Sequence, residues 1–320
     1  MGKFKTAILS VLIGCIGSSC ASLGLKNTVI NEKLIISHCN QQNIYSYSAD
    51  EMPEPLSYAD IDSMLRHRIS PNSLHIAHTI GIVDLLEHYA KLRTQPLDTD
   101  RLTQRMDILE LRQEIDRRIN NASLEVSAVS SELDCEEERT SQVANFLKGK
   151  ESDLESKLTM GAIVIGASGA IATGGTIKNE PLSNSIGIAT GVAEASLGFM
   201  MLFNNRRAEF YHERNALKDI WEGPIVSQNF PLFVWYYLNT PKTAGHSSSS
   251  VRSQIIDKWK TFGQIDEDLS PELIDLYFGK GGRYSTDQLD NRASMYDQVE
   301  SHINLMKQEL MALAQEINTL

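Results

Sequence analysis

Residues 160–177 read MGAIVIGASGAIATGGTI, and the fold of the chain depends on how this stretch is accommodated. It carries no charge over eighteen positions and consists largely of Gly, Ala and Ile. Eighteen helical residues extend about 27 Å, close to the roughly 30 Å of a bilayer's hydrocarbon core. The stretch is therefore either a membrane span or a helix that packs closely against a neighbour.

Small residues spaced four apart favour close packing. A second apolar run, 186–203, follows the polar turn at 178–181. The small residues are Ala162, Gly166, Ala170 and Gly174 in the first run, and Ser183, Gly187, Gly191 and Ala195 in the second. Ridges of this kind allow two helix backbones to approach closely. We predict a helical hairpin over 159–203 whose helices touch along these residues.

Heptad patterns occupy two further segments. Apolar or small residues recur at alternating steps of three and four over 108–154, interrupted by Glu136 and Lys150, and again over 289–320 after a predicted helix cap at Ser285. A repeat of 3.5 residues sustained over about six heptads predicts a long helix with a supercoiling seam. We predict that the two helices pair antiparallel within one chain. A homodimer is the alternative.

Helix start and stop signals predict shorter helices elsewhere. They are a helix opened by Ser57 and Asp60, one from Ser70 to Ala90, one from Arg207 to Trp221, one over 251–262 and one from Ser270 to Tyr277. The Gly-rich stretch 279–283 is expected to be a loop that leads to the cap at Ser285. Because no strand-rich region emerges, the predicted fold class is all-α, an elongated helical bundle with a central Gly/Ala-rich hairpin.

The first twenty residues differ from the rest in composition. Lys3 and Lys5 precede an apolar run over 6–16, and the small residues 17–19 precede Cys20. This pattern resembles a bacterial lipoprotein signal peptide, in which a cysteine after small residues is lipidated and becomes the new N-terminus. The resemblance implies an envelope protein held to a membrane by lipid on Cys20. A plain secretory leader or N-terminal anchor is the alternative.

Two cysteines fit the lipidation pattern. Residues 12–15 read LIGC, so Cys15 matches the usual motif better, whereas Cys20 follows an apolar run of more normal length. Cleavage before Cys20 leaves Cys39 and Cys135 as an even pair in an oxidising compartment. Parity therefore favours Cys20 as the acylated residue and a Cys39–Cys135 disulfide. Neither Ala21 nor Ser22, the two residues after Cys20, is the aspartate that retains some lipoproteins in the inner membrane. Their identity therefore favours the outer membrane.

Two features argue against insertion of the hairpin. Glu194 lies within the second run and would cost about 2.5 kcal/mol or more if it faced lipid. Lys157 and the pair Arg206–Arg207 flank the open ends, which for an inner-membrane hairpin predicts cytoplasmic ends, opposite to a lipoprotein's body. We therefore expect the hairpin to be buried within the protein or against a partner. Membrane insertion is the alternative.

The catalytic and metal-binding motifs that the sequence suggests are incomplete. His67, His75, His78 and His88 lack an acidic or cysteine partner that would complete a ligand set, so no metal is expected. Residues 166–170 lack the final glycine of a nucleophile elbow. We predict no catalytic residue and no cofactor. A cleft that gathered His67, His75 or His78 with acidic residues would revive an enzyme hypothesis.

The net charge and the arrangement of the helices limit the classes of partner that we expect. The formal net charge is −11, from 41 acidic and 30 basic residues, which disfavours nucleic acid. The expected function is a scaffold or binding protein that contacts another envelope protein or itself through helical surfaces. The aromatic segment 230–238 is either a contact patch or core. Long helices that flank an apolar hairpin also resemble α-helical pore-forming toxins in arrangement, which makes a membrane-inserting effector the alternative.

The predicted organisation has five parts. They are a signal peptide over 1–19, a tether over 20–55, a helical bundle over 56–222 that contains the hairpin, an aromatic-rich lobe over 223–284 and a C-terminal heptad helix over 285–320.

The choice of acylated cysteine can be tested directly. Cys20→Ser is expected to abolish acylation and globomycin-sensitive processing, whereas Cys15→Ser leaves both intact because Cys15 is discarded with the signal peptide. Mass spectrometry of the mature N-terminal peptide measures this, and an acylated peptide that begins at Cys15 would contradict the assignment.

Overall fold

The computed structural model describes residues 37–40, 45–96, 101–175, 180–202, 206–241 and 249–320. The chain divides into two units, residues 1–36 and residues 37–320, and the described residues all belong to the second. The predicted signal peptide, Cys15 and Cys20 lie outside the described residues.

Helices dominate the second unit, which confirms the all-α prediction. In chain order the elements are α1 (Ser63–Arg68), α2 (Pro71–Thr79), α3 (Val83–Thr94), α4 (Arg101–Gly175), α5 (Glu180–Leu202), β1 (Arg207–Tyr211), α6 (Ala216–Glu222), α7 (Leu232–Asn239), α8 (Val251–Thr261), α9 (Pro271–Phe278), β2 (Gly281–Ser285) and α10 (Thr286–Ile317). A 3₁₀ turn, Ala49–Glu51, precedes α1. At 1.5 Å per residue, the 75 residues of α4 extend about 110 Å.

The core of the bundle is the predicted seam between α4 and α10. Cross-helix hydrogen bonds join Arg112 to Asn318 (2.6 Å) and Ser130 to Asn304 (2.9 Å), so the two helices run antiparallel within one chain. The buried seam residues are Ile115, Ile119, Ala122, Val126, Val129, Leu133, Thr140, Val143 and Leu147 from α4, and Leu289, Tyr296, Val299, Ile303, Met306, Leu310, Leu313 and Ile317 from α10. Ser285 caps α10 as predicted, accepting from the backbone N–H of Gln288.

Glu136, the charged residue that interrupts the heptads of α4, is buried in an ion pair. Its carboxylate lies 2.6 Å from the guanidinium of Arg139, one helical turn away. The Arg139 guanidinium carbon lies 4.1 Å from the centre of the Phe210 ring. The pair satisfies both charges locally, so the seam continues past Glu136 without an unpaired buried charge.

The described part of the N-terminal segment is bound to α4. The structure has the predicted disulfide between Cys39 and Cys135, with Cα atoms 5.5 Å apart. On either side of it, Ser37 donates to Glu136 and Asn40 donates to Glu132. The part of the predicted 20–55 tether that the structure describes is therefore fixed to the bundle.

Two predicted helices differ from the structure near the N-terminus. The helix expected to start at Ser57 begins instead at Ser63, with Asp62 as its cap. The helix expected over 70–90 starts at Pro71 as predicted but breaks at Gly81, whose φ of +68° is left-handed. A left-handed residue ends an α-helix, so α2 and α3 are separate.

The helix predicted beyond Arg207 and up to Trp221 is wrong as far as Asn215, because α6 begins only at Ala216. Residues 207–211 form β1, which pairs antiparallel with β2, so the loop predicted over 279–283 is also partly strand. The burial of β1 alternates, with Ala208 and Phe210 facing the core, and this is a period of two. Gly281 has a φ of +88°, and a Cβ there would lie 2.3 Å from the Phe210 carbonyl oxygen.

The aromatic segment 230–238 belongs to the core. Trp235, Tyr236 and Tyr237 in α7 are buried, and the Trp235 indole N–H donates to the Pro224 carbonyl (2.9 Å). The Tyr237 hydroxyl donates to Glu309 of α10 (2.9 Å). The interpretation of this segment as an exposed contact patch is therefore wrong, because its rings fill the space between α7 and the neighbouring helices.

A buried polar cluster joins the small sheet to α10. The fully buried Arg292 donates to the Tyr277 carbonyl (2.5 Å) and to Asn215 (3.1 Å). The His212 ring donates through Nε2 to the Tyr284 hydroxyl (2.9 Å), because that hydroxyl itself donates to a backbone carbonyl. Burial, together with the nearby Arg292 and Arg139 charges, holds the pKa of His212 well below its usual value of 6.5.

This cluster makes stability depend on pH. Because the pKa of His212 is lower folded than unfolded, its contribution is complete above about pH 6.5 and declines as the pH falls towards the folded-state pKa, by up to about 1.4 kcal/mol per pH unit. His212→Gln is expected to remove this part of the dependence in urea unfolding between pH 7.5 and 5. His88→Gln, on the exposed face of α3, serves as the control. Parallel wild-type and His212→Gln curves would contradict the prediction.

The disulfide is expected to contribute strongly to stability. It closes a loop with a sequence separation of 96, so the Cys39→Ala/Cys135→Ala variant should lose up to about 4.7 kcal/mol of unfolding free energy. Urea denaturation measures the loss, and reductant should destabilise the wild type but not the variant. Two free thiols in protein purified from the envelope would contradict the assignment.

Candidate functional site: an exposed apolar hairpin

The hairpin, defined here as residues 152–202, begins where α10 begins. At this level Glu151 of α4 accepts two hydrogen bonds, from the backbone N–H of Arg206 (3.0 Å) and from the Thr286 hydroxyl (3.1 Å). Beyond Glu151, α4 continues for 24 residues, about 36 Å, to Gly175. In the described part of the chain, α5 is the element that packs against this extension. Glu151 therefore marks the point at which the hairpin leaves the bundle.

The two hairpin helices touch along lines that step by three or four residues. The less exposed positions are Leu154, Leu158, Gly161, Ala162, Ile165, Gly166, Gly169, Ala172 and Thr173 in α4, and Leu182, Ser183, Ile186, Thr190, Ala193, Leu197 and Met201 in α5. Gly169 is the buried residue at the centre, and a Cβ there would lie 2.4 Å from the Thr190 methyl carbon. Close approach of the backbones therefore depends on glycine at this position.

The predicted small-residue ridges lie partly beside this contact line. A Cβ at Gly166 would meet Glu194, and one at Gly187 would lie 3.9 Å from Thr173, whereas Gly174 and Gly191 have no neighbour within 4 Å. Ala162 is half-buried, Ser183 likewise, and Ala170 and Ala195 are exposed. A row of every fourth residue rotates by about 40° per step on a helix of 3.6 residues per turn, so it leaves a straight contact. The less exposed positions of α4 recur about every 3.6 residues from Leu154 to Ala172, so they stay on one straight contact.

Large apolar side chains cover the outside of the hairpin. Their exposed fractions include 77% for Ile171, 69% for Ile188, 66% for Val164 and 63% for Phe199. Among the described helices, α4 alone is long and apolar enough to span a membrane. Only 6% of its most apolar 18-residue segment is buried. The expectation that the hairpin is buried within the protein is therefore wrong for the described residues. Exposed apolar surface of this extent marks a lipid or protein contact.

Several hydroxyl groups in the hairpin donate to carbonyls of the helix that carries them. Ser168 donates to the Ile165 carbonyl (2.9 Å), Thr190 to the Ile186 carbonyl (3.1 Å) and Ser196 to the Val192 carbonyl (2.8 Å). Serine and threonine that bond back to their own helix do not need water as a partner. These side chains therefore suit an apolar environment.

His75 and His78, two of the histidines considered above, contact neighbouring residues of the protein. The buried His75 ring packs 6.4 Å from the Tyr236 ring, and the His78 ring bonds through Nε2 to the Glu54 carbonyl (2.8 Å). No group of three potential metal ligands occurs in the ranges that the structure describes.

A cleft of about 530 Å³ lies between the turn at Gly81, α4 and the start of α7. Arg117 and Arg118 line it, and both donate to Glu114. These hydrogen bonds lower the pKa of Glu114 to about 2, so the two guanidiniums already share a carboxylate counter-ion.

Comparison with known proteins returned no match to any family model, curated protein or solved structure. The hairpin's own geometry is therefore the basis for a functional argument.

Two glycine substitutions are expected to act in opposite directions. Gly169→Ala should separate the hairpin helices, because its methyl group meets the stiff Thr190 side chain at 2.4 Å. Gly191→Ala should stabilise α5 by about 1 kcal/mol, because it adds helix propensity without a clash. Amide hydrogen exchange across the hairpin measures both, as faster exchange in the first variant and slower exchange in the second. Equal effects would show that the helices do not meet at Gly169.

Proposed function

We propose that the protein is a membrane-attached envelope protein whose hairpin inserts into a lipid bilayer. The observation that carries the proposal is the exposure of the hairpin's apolar side chains, with α5 as the packing partner of α4 beyond Glu151 in the described chain. An apolar surface without a protein cover is stabilised by transfer out of water. The lipid on Cys20 implied by the signal-peptide resemblance would hold the chain at a membrane surface and so favour the insertion.

The dimensions of the hairpin support insertion. The uncharged part of α4, residues 158–175, extends about 27 Å, and the 23 residues of α5 extend about 35 Å, against roughly 30 Å of hydrocarbon. Both helices satisfy their own backbone groups, as lipid requires. The contact through Gly169 also keeps the two helices together without help from water.

Transfer of the hairpin from water into lipid has a favourable and an unfavourable contribution of similar size. The exposed Ile163, Val164, Ile171, Ile188, Val192 and Phe199 together supply about −2 to −4 kcal/mol at −0.3 to −0.6 kcal/mol each. An ionised acidic side chain at the centre of a span costs about 2.5–3.5 kcal/mol, and Glu194 is such a group. The hairpin therefore lies near the threshold of insertion rather than far on either side.

A second candidate function, the scaffold that binds through helical surfaces, is supported at the other end of α4. Leu102, Met106 and Leu109 lie on one face of the helix and are 70%, 52% and 67% exposed. Residues at i, i+4 and i+7 form the stripe that a partner helix recognises. This surface would bind another envelope protein or a second copy of the chain.

Insertion is tested by a fluorophore on Ser168→Cys in the full chain, mixed with phosphatidylethanolamine/phosphatidylglycerol vesicles brominated in their acyl chains. We expect quenching at position 168 and none at Ser152→Cys, which lies at the base of the hairpin. Quenching by acyl-chain bromines reports on the hairpin itself, whichever way the N-terminus is anchored. A label at position 168 that stays unquenched would overturn the proposal.

Two variants, each of which replaces an exposed apolar residue of α4 by aspartate, distinguish the two candidate functions. Ile171→Asp should weaken hairpin partitioning on the order of 100-fold, because the change places a carboxylate within the span. Leu109→Asp, at a site on α4 with similar exposure, should leave quenching unchanged. If the scaffold function holds, Leu109→Asp reduces crosslinking of the chain to its neighbours in the envelope, whereas Ile171→Asp does not.

A further inference from the structure

We propose that protonation of the Glu194 side chain controls insertion of the hairpin, so that the protein enters bilayers more readily at acidic pH. The inference rests on the proposed insertion and assigns its regulation to one residue. An ionised carboxylate at this position opposes transfer into lipid. After it takes up a proton from the bulk, the same side chain is a neutral carboxylic acid.

The position of the carboxylate supports this role. It lies against α4 at Gly166, where an added Cβ would come within 2.2 Å of Glu194 Oε1. Gly166 is eight residues from Leu158 and nine from Gly175, so the carboxylate is about 12 to 14 Å from either end of the uncharged stretch. That depth corresponds to the middle of a bilayer, where an ionised group is least tolerated.

The charged groups that could neutralise Glu194 lie at the ends of the hairpin. On α4, the element packed against it, the nearest is Lys157, nine residues or about 13 Å below Gly166 and already paired with Asp153 (2.7 Å). On its own helix the flanking charges in the sequence are Glu180 at the start and Arg206 past the end. At the depth of Glu194, the described hairpin offers no basic side chain, so a proton is the available means of neutralisation.

The size of the effect follows from the cost of an ionised carboxylate at mid-depth, which corresponds to a factor on the order of 100 in partitioning. The exposed apolar side chains supply a driving force of similar size. Removal of the charge therefore increases the inserted fraction of the hairpin. A more strongly apolar hairpin would insert at any pH, and a weaker one would not insert at all.

The test uses the full chain labelled at Ser168→Cys and the brominated vesicles, at pH 7.5 and pH 5. Wild-type partitioning is expected to rise about 10-fold or more at pH 5. Glu194→Gln should insert at both pH values at least to the extent that the wild type reaches at pH 5, because it has no charge to lose. Glu155→Gln, an exposed site on α4 below the uncharged stretch, should keep the wild-type pH dependence.

Three outcomes would overturn the proposal. Equal insertion of the wild type at both pH values, or a pH dependence that persists in Glu194→Gln, removes the role of Glu194 and leaves the proposed insertion in place. Absence of quenching in every variant at both pH values removes the insertion itself, and the regulation with it.

Discussion

The antiparallel contact between α4 and α10 is the interaction on which the rest of the structure depends, and its length is the decisive property. With 32 residues, α10 covers about 48 Å of a helix that extends about 110 Å. Where α10 begins, Glu151 bonds to Thr286 and to the backbone of Arg206. Beyond that level α4 packs against the apolar α5. The hairpin therefore exists as a separate surface because one seam helix is much longer than the other.

A short section of α4 gathers most of the attachments to the bundle. Glu132 binds both Asn40 and Arg214, Cys135 forms the disulfide, and Glu136 pairs with Arg139. The N-terminal segment and the chain that follows β1 are thus fixed to the same two turns of one helix. These polar groups are buried near the middle of α4, whereas exposed apolar side chains lie towards both of its ends.

Exposed apolar residues and a single ionisable group give the hairpin its character. Glycine and alanine add little transfer energy, so their contribution is steric, and Gly169 and Gly166 show two uses of it. At Gly169 the missing side chain lets α4 and α5 meet, and at Gly166 it leaves space for the Glu194 carboxylate. The same composition that permits close packing thus keeps the hairpin only marginally apolar.

Patterns that depend on neighbours within one helix or turn were readable from the sequence. The 3.5-residue repeats predict the seam, the caps at Ser70, Ser270 and Ser285 predict helix starts, and cysteine parity predicts the Cys39–Cys135 bond, because each is a local or combinatorial constraint. Only the tertiary structure decided the features that need a distant partner. Phe210 lies in a strand because β2 lies beside it, and Trp235 is buried because α7 is covered. The Glu194 carboxylate lies beside the middle of the uncharged stretch of α4 because Gly166 leaves space for it. The exposure of the hairpin belongs to this second group, since an apolar run specifies that it avoids water but not what covers it.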